Sequence, residues 1–382
     1  MTLFYILATV AVLQGVISLT AGIRAAGHIR RSRPQSAWRP RVVVFCPCKG
    51  TDAEFQKNIR SILDQEYPNL RVVFVVESVR DPAWDALKTL GATVLVAGEA
   101  AERGQKVHNL LYAVEHAAGD ADVFAFCDAD ARFPKDWVSS LIAPLDDDAV
   151  AVATGYRWYV PKPGRLASLV RSMWNASVVT VLGAHTRNFA WGGSMALRRD
   201  VFDRIRVRDA WAGAVSDDYA VTHAARAARM QIVFVPACLV PSYGDCTWGE
   251  VLEFTTRQIV ITRVYEPRIW RMAMLTGTTF NIAFWWAAFL AWSDPGAAAI
   301  LGALYALAGI KGWTRLKAVA TVLPESALSN YRWSYILGSP LSALLYQYDL
   351  IRSAFTRDIV WRQIRYSLLS PHRTVVQRGA GS

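Results

Sequence analysis

A chain of 382 residues, 53% of them hydrophobic and with a mean hydropathy of +0.19, is too apolar for a wholly soluble protein and long enough for one large domain plus membrane elements. The net charge of +11 and pI of about 9.6 could suit a polyanion. However, no nucleic-acid motif accompanies the basic residues, which cluster beside apolar segments, so anionic lipid headgroups are the expected counter-charge and nucleic acid is excluded as a partner. Cys46, Cys48, Cys127, Cys238 and Cys246 have no zinc-ribbon or finger spacing and read as buried free thiols.

The chain opens on Thr2 to Gly22, an uncharged apolar run. At roughly 1.5 Å per residue it can cross a hydrocarbon core of roughly 30 Å. No basic region precedes it and it is long for a signal sequence, so a retained anchor (1–23) is expected. Arg24, Arg30, Arg31, Arg33, Arg39 and Arg41 follow at once, which by the positive-inside rule leaves the next domain in the cytoplasm of an integral protein of the inner or cell membrane.

From Arg41 to Pro236 short apolar runs alternate with amphipathic stretches, the pattern of an α/β domain with a mostly parallel sheet and helices on both faces (24–246). Strands are predicted over Val42 to Pro47, Val72 to Glu77, Thr93 to Ala97, Asp122 to Asp128, Ala149 to Gly155 and Ile232 to Pro236. Helices are predicted over Ala53 to Gln65, Gln105 to Ala118 and Asp217 to Arg229. The next segment, 247–271, mixes Arg and aromatic residues with apolar ones and reads as an amphipathic interfacial segment. A membrane hairpin (272–311) is predicted from Met272 to Trp292 and Ala297 to Ile310, joined by the turn Ser293-Asp294-Pro295-Gly296. Lys311, Arg315 and Lys317 return the chain to the cytoplasm. The remainder (312–382) is expected to form a re-entrant or interfacial segment around Tyr335 to Tyr348, broken at Gly338-Ser339-Pro340, and a basic cytoplasmic tail.

In such sheets ligands gather at the carboxyl ends of the strands, and that is where Asp128 and Asp130 of CDADARF fall. Hard carboxylate oxygens one residue apart suit Mg²⁺ or Mn²⁺ shared with a diphosphate; the bland reading is a solvated turn whose acids cap the next helix. Glu77 ends another strand on the same edge and could accept hydrogen bonds from a base or ribose. Asp217 and Asp218 start a helix, where capping is the ordinary role and a general base the chemical one. Gly192 and Gly193 either form a turn or let the backbone approach a ligand closely.

PCKG (Pro47 to Gly50), ESVRDPA (Glu77 to Ala83), GQKVHNL (Gly104 to Leu110), CDADARF, WGGSMALRR (Trp191 to Arg199), SDDY (Ser216 to Tyr219) and WRQIRY (Trp361 to Tyr366) occur in one chain and in that order. Together they resemble glycosyltransferase family 2, in its ceramide glucosyltransferase-like branch, which includes bacterial lipid and hopanoid glycosyltransferases. The resemblance implies a GT-A nucleotide-diphospho-sugar transferase fold, a UDP-sugar donor, Mn²⁺ or Mg²⁺, and an inverting, non-processive transfer to the hydroxyl of a membrane lipid, ceramide-like or hopanoid-like. It also implies Asp130 as metal ligand, Asp128 on metal or ribose, Glu77 on the nucleoside, Lys49 and Lys106 near the donor, and Asp218 as base beside Asp217. Trp361, Arg362 and Arg365 would lie near the active site.

One element departs from the pattern. Relatives carry Arg-x-x-Arg-Trp or Gln-x-x-Arg-Trp on the interfacial segment, whereas Arg257-Gln258-Ile259-Val260-Ile261-Thr262-Arg263 has Val260-Ile261 in place of the Arg-Trp pair. Arg257, Gln258 or Arg263 would have to serve the acceptor and leaving group. Two other readings remain open: a processive polysaccharide synthase, disfavoured by the missing Trp and the few spans, and a catalytically silent membrane-anchored protein that binds nucleotide sugar or lipid.

Overall fold

The computed structural model describes residues 1–161, 164–185, 188–324, 328 and 331–378. The chain forms two compact units, one of residues 1–31, 160–181 and 245–356, the other of residues 32–159, 182–244 and 357–382.

The second unit is built on a seven-stranded sheet. Its strands are β1 (Val42–Pro47), β2 (Leu70–Val76), β3 (Val94–Val96), β4 (Val123–Cys127), β5 (Val150–Val160), β6 (Ser194–Arg198) and β7 (Gln231–Tyr243), in the order β3-β2-β1-β4-β6-β5-β7. β3, β2, β1 and β4 are parallel neighbours; β6 runs antiparallel to both β4 and β5. The apolar runs are continuous because both faces of the sheet are covered. In β1, Val42, Val44 and Cys46 enter one core with Ile59, Phe74 and Trp137, while Val43 and Phe45 enter the other with Leu110, Phe124 and Trp211. Each fully buried Val or Phe of this kind contributes roughly 1.5–3 kcal/mol.

All six expected strands are present, and the helices Phe55–Leu63, Gln105–Ala117 and Asp217–Ala227 match the predicted ones closely. The sheet departs from the expectation in β6, a strand the sequence reading passed over, and in β5 and β7, which run on to Val160 and Tyr243. Ser194–Arg198 is only five residues long and ends in Arg, too short and too polar at one end to stand out beside the Val-rich runs. The end of the chain is a correction. Instead of a basic tail, residues 358–377 fold into a three-stranded antiparallel sheet, β8 (Asp358–Trp361), β9 (Ile364–Ser370) and β10 (Arg373–Gln377), in the order β10-β9-β8. Residues 379–382 lie outside the described residues. Its register explains this: Ile359, Ile364, Tyr366, Leu368 and Thr374 alternate with exposed residues and are buried. Thr374 donates a 2.8 Å hydrogen bond to the Gly213 carbonyl.

The first unit is helical. Thr2–Arg31, Pro267–Leu290 and Pro295–Val319 are the described helices long and apolar enough to cross a membrane. They pack through small and aromatic residues, Phe4 and Ala8 against Ala287 and Ala297, and Ala11 against Ala283, Phe284 and Leu304. The expected interfacial segment is a helix, Trp248–Tyr265, opened by a capping box between Thr247 and Glu250; Pro267 then starts the next helix, so 267–271 belongs to the apolar hairpin. The stretch after Tyr331 forms two helices, Arg332–Leu337 and Ser339–Phe355, parted at Gly338. Residues 160–181, read from the sequence as part of the α/β domain, carry the helix Leu166–Ala176 and group with this unit, where Trp174 stacks on Tyr346 with ring centroids 4.6 Å apart.

Candidate active site

β4 delivers Asp128 as the first residue past its carboxyl end, and because β6 is antiparallel to β4, the chain entering β6 brings Gly192 and Gly193 to the same edge. The Asp128 amide donates to the Gly193 carbonyl at 3.3 Å. A β-carbon at Gly193 would lie 2.1 Å from the Trp191 ring and 2.6 Å from Asp128 Oδ2; one at Gly192 would lie 1.9 Å from Asp217 Oδ2. No side chain fits at either position, so the close approach of backbone to carboxylates requires glycine.

Two charged clusters form here, each served by one of two adjacent residues in the first turn of the helix Gln105–Ala117. Lys106 Nζ lies 2.8 Å from Asp128 Oδ1 and 3.1 Å from Asp217 Oδ2. The far side of Asp128 is held by Arg157 of β5, whose Nη2 lies 2.5 Å from Asp128 Oδ2 and whose Nη1 lies 2.9 Å from Asp130 Oδ2 and 2.8 Å from the Tyr159 hydroxyl. The guanidinium carbon sits 4.9 Å from the Trp191 ring centre and 5.2 Å from that of Tyr159. Arg157 reaches this edge because Gly155 lets β5 press against its neighbours: a β-carbon there would lie 2.1 Å from the Cys238 carbonyl oxygen of β7 and 2.6 Å from Ser194 Oγ.

Asp218 completes this cluster. Its Oδ1 accepts from the Ser216 hydroxyl and, at 2.8 Å, from the Tyr219 amide, while Oδ2 accepts from the Gly192 amide at 3.3 Å. Ser216 caps the helix Asp217–Ala227, whose N-terminal dipole favours both acids. The two differ in setting, since Asp217 is buried and Asp218 is half-buried.

The second cluster surrounds Glu77, the first residue after β2. Lys49 Nζ donates to Oε2 at 2.5 Å, and Arg378, just past β10, donates to Oε1 and to Gln105 Oε1. The Gln105 side chain is itself fixed by Gly98, Ala100 and Asn109, and its main-chain N–H donates at 3.3 Å to the Tyr366 hydroxyl of β9.

The electrostatics follow from burial and pairing. Burial works to raise the Asp128 carboxyl, but Lys106 and Arg157 more than offset it and hold it below its ordinary value. Glu77 is likewise lowered, Lys49 and Arg378 outweighing desolvation. Desolvation pushes Asp217 up to about 6, with Lys106 opposing and Asp218 and Asp128 reinforcing the shift. Lys106 is kept protonated against its burial by Asp128 and Asp217.

The sequence-derived residues Lys49, Glu77, Lys106, Asp128, Asp130, Gly192, Gly193, Asp217 and Asp218 therefore meet at one edge of the large sheet. Trp361, Arg362 and Arg365 lie in the β8–β9 hairpin, where Arg362 and Gln363, with φ of 51° and 68°, form the two-residue turn. The Asp52 carboxyl, raised first by burial, also feels Asp130 and Arg362, which puts Arg362 in the field of the site. Arg365 is exposed on β9. Arg257, Gln258 and Arg263 belong to the helix Trp248–Tyr265 of the other unit. There Arg257 pairs with Glu253 at 3.7 Å and lies over Phe254, and Arg263 donates to the carbonyls of Ser353 and Thr356 and lies over Trp270. Sequence reasoning missed Arg157, Gln105, Tyr159 and Arg378. A lone Arg inside the apolar strand YRWYV was the available signal for Arg157, because a charge in a fully buried strand needs an opposite partner.

Residues 3–374 match the sequence profile of glycosyl transferase family 21. The chain belongs to that family. It is thus a glycosyltransferase, and its large sheet with flanking helices is the GT-A fold. What the match establishes is the activity, glycosyl transfer. Among solved structures, the chain is similar to a mannosyltransferase from Pyrobaculum calidifontis in complex with GDP-Man and Mn²⁺, at 18% identity and a TM-score of 0.49, covering 90% of this chain and 99% of that one. It is also similar to glucosyl-3-phosphoglycerate synthase from Mycobacterium tuberculosis in complex with Mn²⁺ and UDP-glucose, at 15% identity and a TM-score of 0.39, covering 63% and 82%.

Among the described residues no group of three or more His, Cys, Asp or Glu side chains forms a complete metal shell. A divalent ion bound with a diphosphate needs only one or two protein carboxylates, the rest of its shell being water and phosphate oxygens. Asp130 Oδ1, buried and without a hydrogen-bond partner, is a hard oxygen donor left open beside Asp128, so the residues present fit such an ion.

Proposed function

We propose that this family 21 glycosyltransferase takes a sugar from a UDP-sugar and, with inversion and without processivity, passes it to the hydroxyl of a membrane lipid, ceramide-like or hopanoid-like. The observation that carries the reading is the acidic and basic network of Lys106, Asp128, Asp130, Arg157, Asp217 and Asp218, set at the carboxyl ends of β4 and β5. The three long apolar helices support a membrane-held acceptor.

On this reading Glu77, with Lys49, meets the nucleoside, and Asp130 and Asp128 hold Mn²⁺ or Mg²⁺, which when bound neutralises charge on the departing diphosphate. Asp218 is the base. It is half-buried, so a hydroxyl can reach it, and among the described residues its Oδ2 accepts one long hydrogen bond, from the Gly192 amide, leaving a lone pair for an incoming proton. The acceptor oxygen forms its bond to the anomeric carbon as the carbon–oxygen bond to the diphosphate breaks; the proton goes to Asp218 and the electron pair leaves with UDP. Asp217 positions Lys106 rather than acting as base, since it is buried against that ammonium.

The test is sugar transfer by membranes holding the full chain, with a panel of labelled UDP-sugars and mass spectrometry of the product lipid. Asp218→Asn should lower kcat by roughly 10²–10⁴-fold and leave UDP binding intact. Unchanged transfer would remove Asp218 from the chemistry, and binding of UDP-sugar without any transfer by the wild type would favour the silent-binder reading.

A further inference from the structure

The missing Arg-Trp pair leaves a role open: a guanidinium for the departing diphosphate. Both arginines of the interfacial helix are engaged within their own unit. Arg257 pairs with Glu253, and Arg263 is engaged by two main-chain carbonyls. Besides Arg263 over Trp270 in the helical unit, an Arg rests on a Trp at the carboxylate cluster itself: Arg157 of β5 lies 4.9 Å over Trp191, the residue before Gly192.

We infer that Arg157, stacked on Trp191, is the catalytic cation for the donor diphosphate, and that it exchanges Asp128 and Asp130 for phosphate oxygens when the donor and its metal ion enter. This rests on the donor-site reading above. Three observations carry it. First, Arg157 is only 8% exposed and its guanidinium lies against both the Trp191 and the Tyr159 rings, away from bulk water. Second, it cannot shed its proton, so a buried Arg must face an anion in every state of the site. Third, the two anions it holds are the carboxylates expected to bind the metal. Asp128 and Asp130, when holding a divalent ion, would offer less negative charge to Arg157, and the oxygens of the diphosphate bound with it would take their place. The planar fork already spans two oxygen acceptors on different residues, the geometry that suits two oxygens of one diphosphate.

The inference gives opposite signs to two binding measurements. Without nucleotide, Arg157 competes with metal for Asp128 and Asp130; with nucleotide it helps to hold the diphosphate. Purified full-length protein in nanodiscs, wild type and Arg157→Gln, would be titrated with Mn²⁺ alone, followed by the electron paramagnetic resonance signal of the free ion, and then with UDP and uridine in saturating Mn²⁺ by calorimetry. The variant should bind Mn²⁺ alone about 10-fold more tightly, bind UDP about 10- to 100-fold more weakly, and bind uridine as the wild type does. Arg157→Lys, which keeps the charge but loses the fork, should fall between on UDP and stay near wild type on Mn²⁺ alone, which separates the role from a folding defect in the Gln variant. Weaker Mn²⁺ binding together with unchanged UDP binding in both variants would overturn the inference and leave Arg157 a structural clamp. Failure of the wild type to bind UDP at all would instead overturn the donor-site reading.

Discussion

The strands on the two sides of the large sheet bring different groups to the site. On the parallel side, β2 and β4 end in Glu77, Asp128 and Asp130, acids placed where strands give way to loops. On the side that includes antiparallel β6, β5 brings Arg157, and the chain before β6 brings Trp191 and the two glycines. The acids sit past the strand ends, whereas Arg157 lies within its strand. The difference teaches that Asp128 is held from both sides of β4, by Lys106 from the helix that precedes the strand and by Arg157 from β5. Lys106 and Arg157 grip Asp128 from two sides, and that pairing keeps a half-buried carboxylate ionised.

The comparison can be broken first on the acidic side. Asp130→Asn removes the carboxylate charge while keeping size, and transfer in the presence of Mn²⁺ should fall by at least about 100-fold, as should transfer by the wild type after EDTA, which only the latter should recover on adding metal. Full activity in EDTA would deny Asp130 its role. Next comes the other side. Gly193→Ala forces a methyl into the Trp191 ring and against Asp128, and should weaken UDP binding by about 10-fold or more with a loss of roughly 1–3 kcal/mol in stability, measured by calorimetry and thermal unfolding. Glu77→Gln leaves Lys49 and Arg378 without their acid; KM for the UDP-sugar should rise about 10-fold with kcat little changed, and equal loss in both would place Glu77 in the transition state instead.

The smallest effect concerns pH. Asp217 titrates near 6 in the folded protein against an ordinary 3.8. Between these values the folded state holds the proton more tightly than the unfolded one, so this group makes stability fall as pH rises from about 4 to 6. Asp217→Asn should remove that slope from the thermal unfolding temperature measured across this range, and a slope equal to that of the wild type would show that Asp217 does not titrate there.

The parallel side was largely legible in the sequence. β1 is a continuous apolar run, its neighbours alternate with amphipathic helices, and Glu77 and Asp128 stand out because they interrupt that pattern. The other side was not. β6 is five residues of mixed character, and Arg157 looks like an ordinary basic residue until the register of β5 turns it toward Asp128 and Asp130. Arg378 lies 301 positions from Glu77 and no local spacing links them; only the β8–β9–β10 sheet, whose alternation was hidden in an Arg-rich stretch, brings them together. In the helical unit, composition identified the three long apolar helices, but their ends at Arg31, Leu290 and Val319 are not reported by hydropathy.

Position 155 touches neither carboxylate nor cation. Yet two residues downstream of it the strand must deliver a guanidinium, and the reach of that guanidinium is fixed by main chain lying flat against main chain, where the Cys238 carbonyl would collide with even a methyl group. A survey of tolerated substitutions should accordingly find a silent-looking site as restrictive as the acids themselves, and enlarging it should impair the enzyme while every chemically active side chain remains in the sequence.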